Sequence, residues 1–146
     1  MNKTNSDYLN ELKNEHKILE RLLGDIKGYI QANDIKGIDS HMDSLKNDLL
    51  SHLNKEDNKI YIELLKVAKE KKIELIEITV NTFSTAMKGV AGRALKFFDK
   101  YSSTAEGIGM PTAEFHKDFQ GIHEDILKRI NNEEKLLYPM YEKYCC

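Results

Sequence analysis

The 146-residue chain has no tryptophan, two prolines and two cysteines, and only three of its 22 basic residues are arginine: Arg21, Arg93 and Arg129. Two prolines leave long stretches free of helix breakers. The cysteines, Cys145 and Cys146, are adjacent. Neighbouring residues rarely form a disulfide, so no disulfide frame is expected, and the pair reads as a reduced thiol tail in a cytoplasmic protein. No run approaches the roughly 18 apolar residues of a membrane span. The opening MNKTNSDYLNELKNEH lacks the apolar segment of a secretory signal. An excess of one charge is also missing: 22 Lys+Arg against 24 Asp+Glu gives −2, so there is no basic surplus to hold a nucleic-acid backbone.

Hydrophobic residues make up 40% of the chain, enough for one core, so residues 1–146 read as a single domain. Apolar spacing of three and four residues predicts helices over 6–31, 35–68, 73–101 and 111–144. Polar breaks separate them at Ala32-Asn33-Asp34, Lys69 to Lys72, and Ser102 to Pro111. Pro111 with Thr112 and Glu114 suits a helix start. Gly89 and Gly92 in the third helix suggest a bend or a close approach. No alternating strand pattern competes. Long helices joined by short connections pack as antiparallel neighbours, so the expected fold is all-α: an up-down-up-down four-helix bundle.

The inward stripes contain ionisable groups. The first helix places His16 between Leu12 and Leu19. The second runs Leu49, His52, Glu56, Ile60, Leu64, Val67. The fourth runs Ile126, Arg129, Glu133, Leu136, Met140. Counting outward from each turn puts His16, His52, Glu56, Arg129 and Glu133 near one level of the bundle. Buried charge is costly unless paired or bound to metal. Two imidazoles and two carboxylates, with His52 and Glu56 one helical turn apart, suit iron, manganese or zinc. The absence of thiolate disfavours a purely structural zinc. A short similarity relates His52-Leu-Asn-Lys-Glu56 through Tyr61 to Arg129-Ile-Asn-Asn-Glu133 through Tyr138.

These residues resemble the hemerythrin-like (HHE cation-binding) family, four-helix bundles that hold a non-haem di-iron centre. The resemblance rests on Glu15-His16, His52-x-x-x-Glu56 followed by Ile60-Tyr61, and Glu133-Glu134-Lys-Leu-Leu-Tyr138-Pro139. It implies metal binding at His16, His52, Glu56 and Glu133. It also implies handling or sensing of iron, a small diatomic ligand or redox state. The chain departs from the pattern in two places. Arg129 stands where the family has histidine, and the third helix offers Phe83, Ser84 and Met87 where histidines are expected. One iron's ligand set is retained and the other's nitrogens are lost.

Two readings follow. In one, a single iron (or manganese or zinc) ion binds His16, His52, Glu56 and Glu133, and Arg129 replaces the second cation by forking onto a carboxylate. A di-iron centre is disfavoured. In the other, no metal binds: a buried salt-bridge network holds the bundle in register, and the protein is a regulatory or interaction module with a protein partner. Neither reading makes it an enzyme, since no nucleophile motif or phosphate loop is present. His41 lies about 16 Å along the helix from His52, too far to share a metal with it, and reads as an exposed or capping histidine. His116 and His123 flank the fourth stripe and read as a solvated face, with a phosphotransfer histidine as a distant alternative. Glu15, Glu134, Tyr61 and Tyr138 neighbour the candidate ligands, either supporting them or packing at the surface and in the core.

Overall fold

The computed structural model describes residues 4–101 and 112–146. They form α1 (Asn5–Gln31), α2 (Ile35–Lys55), α3 (Tyr61–Lys71), α4 (Glu74–Tyr101), α5 (Ala113–Asn132) and α6 (Tyr138–Cys145). A π-turn at Glu56–Ile60 joins α2 to α3, and another at Glu133–Leu137 joins α5 to α6. The result is four long helices, as the periodicity predicts. The third break and Pro111 lie outside the described residues.

Local chemistry explains the ends. The Thr4 hydroxyl accepts from Asp7 N at 3.0 Å, and the Asp7 carboxylate accepts from Thr4 N at 3.3 Å, a reciprocal cap on α1. Asp34 caps α2 through Gly37 N, and Thr112 caps α5 through Phe115 N. Asn33 and Lys72, at φ 54° and 56°, turn the chain between helices. Asparagine tolerates that left-handed conformation better than most residues. Gly37 is needed for space: a Cβ there would stand 2.6 Å from the Tyr29 ring. Gly89 and Gly92 are not sites of close helix approach. A Cβ at Gly92 would meet nothing within 4 Å, and at Gly89 it would meet only the mobile end of Arg93.

Neighbours run antiparallel. Tyr8 donates to Lys55 O while Glu15 pairs with His52, so contacts ascend one helix as they descend the next. On the other side, Tyr101 bonds Asp118 and Arg93 bonds Asp125. Asn5 closes the bundle by donating to Cys145 O at 2.7 Å.

The two π-turns correct the picture of unbroken α-helices. In each, an N–H reaches back five residues: Tyr61 N to Glu56 O, and Tyr138 N to Glu133 O. This inserts one residue into the helical period, and the inward stripe slips by one position beyond it. Ala68 rather than Val67 completes the second stripe. Leu137 and Tyr141 are fully buried, whereas the expected Leu136 is 59% exposed and Met140 only packs at the edge. Before the π-turn, Ile130 takes the stripe position expected of Arg129.

Burial divides the core into two apolar clusters. One contains Leu19, Leu23, Leu45, Phe98 and Phe115; the other contains Leu9, Leu12, Ile60, Leu64 and Tyr138. His16, Glu56 and Glu133 come between them in sequence, and His52 stands one turn before Glu56, next to Leu53 of the first cluster. Among the described residues, no helix is long and apolar enough to cross a membrane.

The register shift has a direct test. Leu137→Ala should cost about 2–5 kcal/mol by removing core volume, and Leu136→Ala less than about 0.5 kcal/mol as a surface change. Urea denaturation of the two variants compares them; the reverse order would restore the unshifted helix.

Candidate metal centre

Among the described residues, four ionisable side chains of histidine and glutamate are buried to 2% exposure or less: His16, His52, Glu56 and Glu133. α1 supplies His16 and the last turn of α2 supplies His52. Each glutamate is the first residue of a π-turn. The imidazole centroids are 4.6 Å apart. His16 Nε2 lies 3.0 Å from Glu133 Oε1, and His52 Nε2 lies 3.2 Å from Glu56 Oε1 and 3.9 Å from Glu133 Oε1. One ligand atom each from His16, His52 and Glu133 falls within 4.8 Å of the others. Glu56, the fourth expected ligand, is not part of this trio; its Oε1 lies beside His52 Nε2 alone, at 3.2 Å.

The outer faces of both rings are held by further carboxylates. His16 Nδ1 faces Glu134 Oε2 at 3.1 Å, and His52 Nδ1 faces Glu15 Oε1 at 2.9 Å. Ionised carboxylates only accept, so each Nδ1 carries the proton. The Nε2 atoms, which point inward, are then free to donate a lone pair, as in carboxylate–histidine–metal arrangements. Lys55 bonds both Glu15 and Glu11, anchoring this outer layer. Burial raises the Glu15 pKa, but His52 and Lys55 together hold it below the usual carboxylate range. Glu15 and Glu134 are therefore supports of the histidines, although Glu134 is also exposed.

Tyr138 reaches the middle of the group. Its hydroxyl is 3.1 Å from His16 Nε2 and 3.4 Å from His52 Nε2, and it donates to Glu56 Oε2 at 3.1 Å. Five residues from Glu133, an α-helix would place it about 140° round the axis; the π-turn returns it to the interior. The signal in the sequence was the repeated Glu-to-Tyr interval of five in both half-motifs.

The donor set fits a cation. Glu56 Oε1 and Glu133 Oε2 are buried without a hydrogen-bond partner, Glu56 Oε1 being near His52 Nε2 but poorly aligned with it. Orphaned carboxylate oxygens in an interior are costly unless a positive charge faces them. With protons as the only cations, burial would depress His52, yet the carboxylates of Glu133, Glu15 and Glu56 override it and push its pKa up to about 11. Burial and the Glu133 charge hold Glu56 well above its ordinary range. Glu133 also suffers desolvation, but Glu56, His16 and His52 packed beside it bring it down to about 2.

Arg129 does not fork onto a carboxylate. Among the described residues it makes no ion pair within 4.0 Å; its guanidinium lies over the Phe83 ring, 5.7 Å from the centroid. Its position beside rather than on the stripe explains this. Phe83 and Met87 are buried at the same level of α4, so that side of the bundle is apolar. The remaining histidines stand apart. His41 Nδ1 faces Gly37 O in its own helix at 3.0 Å. His123 packs on Phe119 with ring centroids 5.6 Å apart, and His116 is exposed.

A family model for the hemerythrin HHE cation-binding domain matches residues 7–141. No curated protein and no solved structure matches the chain.

The proton balance predicts how the metal-free fold responds to alkali. His52 and Glu56 both bind protons more tightly folded than unfolded. The His52 contribution is complete below its unfolded value of 6.5 and is lost as pH rises through about 11. Urea unfolding in chelator should therefore show lower stability at pH 9 than at pH 6.5. Equal or greater stability at pH 9 would contradict the proton-held network.

Proposed function

We propose that this chain, which belongs to the hemerythrin HHE cation-binding family, holds one metal ion at His16, His52 and Glu133, with Glu56 alongside. It uses that ion to sense or handle iron, oxygen or redox state rather than to turn over a substrate. The observation that carries the reading is the convergence of two inward-facing Nε2 atoms and Glu133 within 4.8 Å, beside two buried carboxylate oxygens that lack a partner. Imidazole and carboxylate donors suit iron, manganese or zinc. A redox-active ion at this position supplies electron exchange and affinity for a small diatomic ligand. The protein's own residues orient the histidines through Glu15 and Glu134 and exclude bulk water by burial.

The one-metal form is favoured over a di-iron centre by the other side of the bundle. Phe83 and Met87 offer no nitrogen or oxygen donor there, and Arg129 brings a permanent positive charge to the rim. In this reading Arg129 supplies long-range charge compensation for the second cation, without contacting the carboxylates. The same features fit a cytoplasmic protein that reports metal or ligand state to a protein partner.

One observation supports a second reading. His52 pushed up to about 11 is an imidazolium at neutral pH, and it faces carboxylates on three sides, so it balances part of the buried charge without metal. The bundle would then be a metal-free regulatory or interaction module.

Elemental analysis of protein purified without chelator separates the readings. The expected result is one equivalent of metal per chain, lost in Glu133→Ala. Two equivalents of iron, or an oxo-bridged di-iron absorption after aerobic loading, would overturn the one-metal form. Absence of metal, with Glu133→Ala costing about 3–5 kcal/mol in stability alone, would favour the network.

Removal of an outer carboxylate gives a second measurement. Glu15→Ala should weaken metal affinity about 10–100-fold by releasing the His52 ring, as read by competition with a chromophoric chelator. Unchanged affinity would mean that Glu15 does not orient the ligand.

A further inference from the structure

The Tyr138 hydroxyl stands among the inward-facing donors. Its oxygen is 3.1 Å from His16 Nε2, 3.4 Å from His52 Nε2 and 3.1 Å from Glu56 Oε2. The two nitrogens it meets are the ones left free for a metal, because Glu134 and Glu15 occupy the Nδ1 sides. Two donors bound to one ion at about 2.0–2.2 Å lie roughly 2.8–3.6 Å apart for angles between octahedral and tetrahedral. The separations of Tyr138 Oη from both histidines fall in that range, as does the 3.0 Å between His16 Nε2 and Glu133 Oε1, while the 3.9 Å between His52 Nε2 and Glu133 Oε1 corresponds to a wider angle at the ion. The hydroxyl is thus placed as one more vertex of the same coordination polyhedron.

Its counterpart in the other half-motif differs. Tyr61 is buried too, but its hydroxyl has no hydrogen-bond partner, whereas Tyr138 Oη meets three site residues. A tyrosine that merely filled core volume would not need to direct its oxygen between two imidazole nitrogens.

We propose that Tyr138 is an oxygen donor to the ion held by His16, His52 and Glu133. The inference rests on the metal-binding reading above. Coordination replaces the O–H bond by an oxygen–metal bond, and the proton passes to the Glu56 carboxylate, whose Oε2 already accepts the hydrogen bond. The phenolate then supplies a negative donor, and one fewer position on the ion remains for an external ligand.

The 146-residue chain loaded with iron(III) tests this by two readouts, bound iron from elemental analysis and the visible absorption with resonance Raman spectrum. The expected result is a phenolate-to-iron charge-transfer band with enhanced tyrosine ring vibrations. It should persist in Tyr61→Phe and disappear in Tyr138→Phe while helical circular dichroism is retained. Loss of the band with iron still bound assigns the donor directly; loss of both, with Tyr61→Phe unaffected, shows that the hydroxyl is needed to hold the ion. Bound iron without the band in the parent protein would overturn this inference alone. So would a band that survives in Tyr138→Phe. Failure of the parent protein to bind iron(III) would overturn the metal-binding reading together with it.

Discussion

Two glutamates are buried side by side in an apolar bundle, and most of the structure's departures from a simple bundle answer to that fact. Glu56 and Glu133 are almost wholly removed from water, and one oxygen of each has no hydrogen-bond partner. Leaving such charge uncompensated would cost several kcal/mol per group. The protein meets it with two histidines, each fixed from outside by another carboxylate, and with the hydroxyl of Tyr138. Replacing the layer by leucines would satisfy packing with less cost. A polar layer in this place fits a use that leucines cannot serve, binding a cation, as the match to the hemerythrin HHE cation-binding model implies.

The π-turns belong to the same solution. Each begins at one of the two glutamates, and each ends against a tyrosine. A π-turn is a poorer backbone arrangement than continuous α-helix and is frequently found at functional sites. Here it lets a carboxylate and, five residues on, a tyrosine both face the interior. It also resets the stripe so that Leu137 and Tyr141 continue the core beyond the polar layer. The same local device in the second and fourth helices gives the bundle an approximate internal repetition, but the chemistry attached to it is unequal. His52 precedes the first π-turn on the inward stripe. Arg129 precedes the second and lies beside the stripe, against Phe83.

Much of this was legible in the sequence. Apolar spacing is a property of the helix itself, so four helices and the complete inward stripe of the first, from Leu9 to Ile30, follow from counting. The level of His16 and His52 follows as well, because antiparallel helices joined by a short turn must align residues equidistant from it. What spacing does not carry is a change of helical period. Leu136 and Met140 fit an uninterrupted α-helix, and only the backbone shows Leu137 and Tyr141 taking their places. The same one-residue error made Arg129 look buried, because a step of three from Ile126 is as acceptable as the step of four that leads to Ile130. Side-chain direction was equally hidden: nothing in Glu15 or Glu134 as letters distinguishes a surface carboxylate from one that holds an imidazole.

The site's asymmetry follows from these placements. Toward α1 and α2 lie the imidazoles with their outer carboxylates; toward α4 lie Phe83 and Met87. Positive charge is therefore wanted on one side, where the unpartnered oxygens and inward nitrogens converge, and a second ion would lack donors on the other. Protons can occupy the first side, as the upward shifts of His52 and Glu56 imply, so protons and metal compete for the same groups. A metal that binds must release them. Affinity should rise with pH over the range in which the metal-free network loses its own stability. The same buried donors thus face either protons or a cation, and the one excludes the other.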